Sequence, residues 1–308
     1  MKITVIGNSN TEIIIKAPFV PGPGETSVGE TFSMAPGGRG SHQAVAAARA
    51  GGDVTFVSRI GMDVFGEQAL QMLRQDGINT SFIIQDKTAS SGVASIIVDT
   101  NGESGITVSP GANLNLSETD ILNAREAIVG ADLLLLQLEI PLETVKYAAS
   151  MARSAGVKVI LNPAPALPVS DELLKSISVL TPDASEAELL TGISITDERS
   201  AELAGRILLE RGLDRVIITL RSKGAIVIDN GGAEHVPGFK VKTIDKTAVN
   251  DVFNGALAVG LAEGHNFYEA VLFANAAAAI SYSRSGTKSS IPFREEILNV
   301  MKTVKRSH

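Results

Sequence analysis

Along almost the whole chain, short and continuous apolar runs alternate with helix-type segments. That alternation constrains the fold more than any other feature. Lys2–Gly7 (KITVIG), Asp53–Arg59 (DVTFVSR), Leu133–Leu138 (LLLLQL), Val157–Leu161 (VKVIL), Val179–Thr181, Arg215–Thr219 (RVIIT) and Ala225–Asp229 (AIVID) read as strands. Between and after them, Ser41–Gly51, Gly66–Asp76, Leu142–Ala155, Ser185–Leu190, Ser200–Arg211, Asp251–Glu263 and Tyr268–Ser283 read as helices. Strands that are apolar at successive positions are buried on both faces. Alternating them with helices predicts a doubly wound, mainly parallel sheet with helices on both sides, an α/β fold.

Two stretches break the rhythm. Thr11–Met34 carries β-type residues around Pro21–Glu25 (PGPGE). Ser91–Asp99, Asn101–Gly102 and Ile106–Ser109 read as a hairpin. Together they predict a small β-sheet inserted between the early units, either a lid over a cleft or an ordinary sheet extension. The chain of 308 residues then reads as one α/β domain over 1–308, with a lid from roughly 11–34 and 91–109.

Composition removes several function classes. There is no cysteine, which excludes disulfides, thiolate metal sites and cysteine nucleophiles and suits a reducing, cytoplasmic setting. A net charge of -7 without a basic run disfavours nucleic-acid binding. No stretch is apolar enough to predict a membrane span, and the N-terminus does not read as a signal peptide. The histidines His42, His235, His265 and His308 have no metal-binding spacing.

Four motifs fall at predicted strand ends or helix starts, where open parallel sheets bind ligands. Pro36–Gly40 (PGGRG) runs into a helix and is either a structural turn or a close backbone approach to a ligand. In Asp245–Gly255 (DKTAVNDVFNG), Asp251 is either a helix-stabilising charge or a general base beside an anion site. Asn162–Ala166 (NPAPA) fixes a chain exit with two prolines. In Thr181–Glu188 (TPDASEAE), Asp183 and Glu186 form either a helix-capping pair or an outer shell for magnesium.

The ordered set GGRGSHQAVAAARAG, QLEIPLE, NPAPA, TPDASEAELLTG, TLRSKG and DKTAVNDVFNGAL resembles the ribokinase-like (phosphofructokinase-B) carbohydrate kinase family over essentially the whole chain. The resemblance implies transfer of the ATP γ-phosphate to a sugar hydroxyl, with a β-clasp lid that often makes a homodimer. Asp251 would be the base, next to an anion hole that includes Asn250. The sugar would meet Asn10, Glu12, Gly38, Arg39, Gly40, His42 and Glu139. The nucleotide would meet Asp183, Thr219, Arg221, Ser222, Lys223, Gly224 and Asn275. Glu186 would organise Mg2+ through water. K+ would sit near Asp245, Thr247, Ser281, Arg284, Gly286 and Ser290. The partners implied are a small sugar and ATP, with neither nucleic acid nor membrane.

Some positions depart from the family pattern. Glu12 stands for Asp, His42 for Asn, Asp183 for Asn, and Arg221 for Gly. Lys246, Val249 and Asn250 change the usual DTTGAGD-type run, and Met62 replaces an Asp. Two readings follow: a kinase with altered specificity or slow turnover, and a non-catalytic sugar- or nucleotide-binding protein on the same scaffold.

Overall fold

The computed structural model describes residues 1–101 and 103–304. Gly102, in the predicted hairpin turn, and His308 lie outside the described residues. The strands are β1 (Lys2–Ile6), β2 (Asn10–Lys16), β3 (Thr31–Gly37), β4 (Asp53–Gly61), β5 (Asn79–Asp86), β6 (Gly92–Val98), β7 (Ser104–Ser109), β8 (Leu133–Leu136), β9 (Lys158–Leu161), β10 (Val179–Leu180), β11 (Val216–Thr219), β12 (Gly224–Asp229) and β13 (Gly232–Pro237).

Nine of them form one sheet in the order β13-β12-β11-β10-β9-β8-β1-β4-β5. It is parallel from β11 through to β5, and β12 and β13 add an antiparallel edge. The mainly parallel, doubly wound sheet expected from the apolar rhythm is therefore present. Leu133 to Leu136 are all fully buried, and the alternation along the strand divides them between two cores. Leu133 and Leu135 join Ile3, Val5 and Phe56 under the helices Arg39–Arg49, Val249–Ala262 and Phe267–Tyr282. Leu134 and Leu136 join Ile6 and Val159 under Leu142–Ser154 and Glu198–Glu210. Both faces exclude water, so an unbroken apolar strand costs nothing in exposed surface.

The remaining strands form a separate sheet in the order β3-β2-β6-β7. β2 pairs parallel to β6, from Asn10↔Gly92 to Lys16↔Val98, while β3 and β7 flank them antiparallel. This is the inserted β layer. Its strands reach to Gly37 and Ser109, slightly beyond the first predicted segment. Among the described residues, no helix is long and apolar enough to cross a membrane.

The elements that place the site are the carboxyl ends of the parallel strands. Asn8 follows β1, Glu139 follows β8, Asn162 follows β9 and Asp183 follows β10. All four leave the sheet at the same end, beneath the inserted sheet. Two helices start there earlier than expected. One begins at Arg39, inside PGGRG, with Gly38 as its N-cap at φ 93. The other begins at Val249, with Ala248 as its N-cap at φ 59.

Candidate active site

A cleft of about 560 Å3 lies between the strand ends and the inserted sheet. Asn10, Glu12, Gly38, Arg39, His42, Glu139, Asp183, Thr219, Arg221, Thr247, Asn250 and Asp251 all line it. The lid reading thus prevails over a simple sheet extension, because Ala94 and Ile96 of β6 and Ile106 and Val108 of β7 face the same space. These four residues and Tyr282 were not anticipated. Their two-residue spacing on β6 and β7 is the signal that a shared inner face leaves in sequence.

Asp251 lies in the first turn of helix Val249–Ala262 and is buried. Gln43 Nε2 donates to its Oδ1 at 2.9 Å, and His42 Nδ1 lies 3.6 Å from its Oδ2. On the other side of the ring, His42 Nε2 is 4.0 Å from Glu12 Oε1. Both His42 Nε2 and Glu12 Oε2 are buried without a hydrogen-bond partner. Two departures from the family pattern are therefore neighbours, in line with the candidate base. Burial opposes protonation of His42. Hydrogen bonding toward Asp251 and the charges of Glu12 and Asp251 outweigh it and raise the imidazole above its ordinary value.

Glu139 closes the floor. Asn8 Nδ2 donates to its Oε2, and Arg39 Nε donates to its Oε1 at 3.1 Å. Burial raises its carboxyl group, Arg39 opposes the rise and Asp251 adds to it. Arg39 itself is held in the charged form: burial works against the guanidinium, but Asp251, Glu139 and Glu186 prevail. Gly38 must be small, since a Cβ there would lie 2.9 Å from Asn10 N at a φ that L-residues rarely adopt. Gly40 is buried, and its N–H donates to Asn8 Oδ1 at 3.0 Å.

At the other end of the cleft, Asp183 and Glu186 form the capping box of helix Ala184–Thr191. Asp183 Oδ1 accepts from Glu186 N at 2.9 Å, and Glu186 Oε2 accepts from Asp183 N at 2.8 Å. Capping leaves one oxygen on each carboxylate for other work. Asp183 Oδ2 accepts from Asn250 Nδ2 at 3.4 Å, so two further departures touch each other. Glu186 is pushed up to about 7, first by burial and then by the charge of Asp183. A cation arriving here would relieve that accumulation of negative charge.

Arg221 occupies a left-handed backbone position, φ 56, which explains the family's glycine there. It lies between this cleft and an adjoining one of about 680 Å3 that Ser222 and Lys223 line. Gly224 is packed against the Val236 carbonyl at φ 100. Asn275 is not brought to either cleft; it is buried and donates to the carbonyls of Val236 and Pro237, both at 3.1 Å.

The remaining residues gather beside the loop before Val249. Asp245 Oδ1 accepts from Thr247 N at 2.8 Å and from Thr247 Oγ1 at 2.7 Å, and Asp245 Oδ2 accepts from Gly286 N at 3.1 Å. Ser281 and Ser290 share a buried hydrogen bond of 3.0 Å. Arg284 pairs its guanidinium with Glu296, so only its carbonyl could serve a cation.

A buried carboxylate at a helix start, beside cleft-lining polar groups and under a β lid, offers the base and the positioned donors that phosphoryl transfer needs. The model of the pfkB family of carbohydrate kinases matches residues 1–294, and the chain belongs to that family. It is 43% identical to the ribokinase of Haemophilus influenzae, over 97% of this chain and 98% of that one. Ribokinase from Thermotoga maritima superposes with a TM-score of 0.90 at 38% identity, covering 98% of this chain and 99% of that one. Arabidopsis thaliana ribokinase, complexed with ribose and ATP, superposes with a TM-score of 0.91 at 28% identity, covering 98% of each chain. The chain is a carbohydrate kinase, and these full-length matches favour catalysis over binding alone.

Proposed function

We propose that this kinase transfers the γ-phosphoryl group of ATP to a pentose hydroxyl, with D-ribose as the first substrate. The observation that carries this reading is the buried Asp251 carboxylate at the start of a 14-residue helix, facing a cleft shared with Arg39, Glu139, Glu12 and His42. The sugar lies at the lid end. Its hydroxyls donate to Glu12 Oε2 and Glu139 and accept from His42 Nε2 and Asn10. ATP enters past Asp183, Thr219 and the Arg221–Gly224 loop, with its base toward the helix that carries Asn275.

The sugar oxygen attacks the γ-phosphorus, its proton passes to Asp251, and the bond to the bridging oxygen breaks to release ADP. Backbone N–H groups of Val249, Asn250 and Asp251 lack intrahelical partners at a helix start and face developing negative charge favourably. Among the described residues, no cluster of His, Cys, Asp or Glu holds a metal ion by itself. Glu186, whose capping bond uses only Oε2, would hold magnesium through water. Magnesium neutralises phosphate charge when bound. The oxygen donors of Asp245, Thr247, Ser281, Gly286 and Ser290 and the Arg284 carbonyl suit a potassium ion, and the buried Thr287 hydroxyl without a partner supports that.

The lid is also the natural dimer surface, because Val28, Phe32 and Met34 expose apolar side chains at its β3 edge. A cytoplasmic setting suits a chain without cysteine. The test is ADP release with ribose, magnesium and potassium, followed by a panel of pentoses, nucleosides and ketohexoses. Turnover that depends on ribose and is lost in Asp251→Asn is the expected result. Tight sugar binding with no turnover on any sugar would overturn the reading.

A further inference from the structure

The motif residues Gln43, Gln137, Asn162 and Thr181 do not line the cleft, yet all are almost completely buried polar groups. Such groups are costly unless their hydrogen bonds are made, and of these four residues only Gln137 leaves a buried atom, its Oε1, without a partner. Their bonds form one directed circuit. Gln43 Nε2 donates to Asp251 Oδ1 at 2.9 Å and to Asn162 Oδ1 at 3.2 Å. Asn162 Nδ2 donates to the Thr181 carbonyl at 3.1 Å. The Thr181 hydroxyl donates to Asn254 Oδ1 at 2.6 Å, and Asn254 Nδ2 donates to the Asn250 carbonyl at 2.8 Å. The Asn250–Asp251 peptide bond closes the ring. Gln137 Nε2, donating to Gln43 Oε1 at 2.6 Å, fixes the hub from outside.

We infer that this buried ring is a positioning device for phosphoryl transfer, with Gln43 as its hub. The inference rests on Asp251 being the base. An ionised carboxylate only accepts, so it compels the Gln43 amide to present nitrogen. Asn162 then turns its oxygen to Gln43 and its nitrogen to the Thr181 carbonyl. The Asn250 carbonyl, itself only an acceptor, fixes Asn254 with nitrogen toward it and oxygen toward the Thr181 hydroxyl, which also lies 3.3 Å from the Leu161 carbonyl. Two consequences reach the reacting atoms. Oδ1 is committed to Gln43, so the sugar hydroxyl meets Oδ2, which it shares with His42 Nδ1 at 3.6 Å. The Asn250 carbonyl and the Asp251 N–H belong to one planar peptide group, so holding the carbonyl also aims an N–H donor at the helix start. The ring thus sets base and anion donor together. It also gives NPAPA and the Thr181 turn a role that neither ligand contact nor chain reversal explains.

The experiment compares Gln43→Glu, Asn254→Leu and their double variant with Asp251→Asn, with folding checked by thermal melting. Gln43→Glu keeps the shape but removes both donors. Its kcat should fall about 100-fold, the cost of misplacing a reacting group, with KM for sugar and ATP held within about threefold. Its acidic limb in the kcat–pH profile should rise by about one unit, because a second carboxylate beside Asp251 disfavours the ionised pair. Asn254→Leu should lower kcat about tenfold at unchanged KM and leave the limb in place. The double variant should lose little more than Gln43→Glu alone, because the two residues act as one unit without touching.

Wild-type kcat in both single variants, losses that appear in KM, or losses that multiply in the double variant would each overturn the ring. If Gln43→Glu does not fold, Asn162→Leu takes its place, judged by kcat, KM and the double-variant comparison. Full activity in Asp251→Asn would instead overturn the base assignment, so the two failures are distinguishable.

Discussion

At the lid end of the cleft, the unusual residues Glu12 and His42 are buried and lie in line with Asp251. At the loop end, the unusual Arg221 is exposed and sits at φ 56, while Asn250 reaches across to Asp183. The first pair changes the chemistry of an enclosed pocket, where every unpaired polar atom matters. The second set changes the rim, where a long side chain can move and strain stays local. On the proposed placement of sugar and ATP, substitutions at the lid end would act on which sugar is accepted, and those at the loop end on rate and nucleotide affinity.

The largest expected effect tests the lid end. Glu139→Ala removes a carboxylate that two side chains hold toward the cleft. The sugar KM should rise about 10- to 100-fold with ATP KM unchanged, as for a lost hydrogen bond to a charged group. Initial-rate kinetics check it, and an unchanged sugar KM would break the division of the cleft. Next, Asn250→Gly clears the side chain that lies between Asp183 and the helix start. Turnover should rise by about tenfold, part of the range that one anion-hole donor controls. An unchanged or lower rate would show that the asparagine belongs to a working turn, and the loop end would then join the lid end as a specificity feature.

His42→Asn sharpens the comparison through pH. The imidazole binds its proton more tightly when folded than its ordinary value of 6.5 allows unfolded. Its contribution to stability is therefore complete below about 6.5 and is lost as pH rises through the folded value. Denaturant midpoints of the wild type should fall over that window, and those of His42→Asn should fall less, keeping only the decline that Glu186, pushed up to about 7, contributes to both proteins. An identical decline in both proteins would remove His42 from the charge line. The smallest effect belongs to Arg221→Gly, which should gain about 1–2 kcal/mol by relieving a left-handed backbone. A lower ATP KM in the same variant would mark the arginine as an obstruction; a higher one would mark it as a phosphate partner.

The central strands were legible because burial on both faces leaves an unmistakable apolar run. β5 and β13 were not, since they lie at the two edges of the main sheet and carry polar residues such as Asn79, Gln85, Glu234 and His235. Short helices such as Glu118–Asn123, Arg125–Val129 and Asp171–Lys175 are too brief for a clear period; two of the three carry caps on Ser117 and Ser170. At the site, the residues around PGGRG and DKTAVND were legible from motif order. Asn275 looked like a ligand group, yet its amide holds the β13 end, a partner nearly forty residues away with no local trace. The polar ring was equally invisible, because its members come from four segments and meet only when the sheet is assembled.

The parallel pairing of β2 with β6 has a consequence for how the molecule comes into being. Between these two partners lie β3, the helix Arg39–Arg49, β4, the helix Val64–Gln75 and β5. No hairpin can bring them together, and the entropy of closing so long a loop must be overcome before their contacts reward it. The inserted sheet therefore waits for β6, which follows β1, β4 and β5 along the chain but precedes β8 to β13 of the main sheet. A chain emerging from a ribosome would possess a β1–β4 platform well before it possessed any means of recognising a sugar, and it would wait for the helix of Asp251, synthesised later still, before it could act on one.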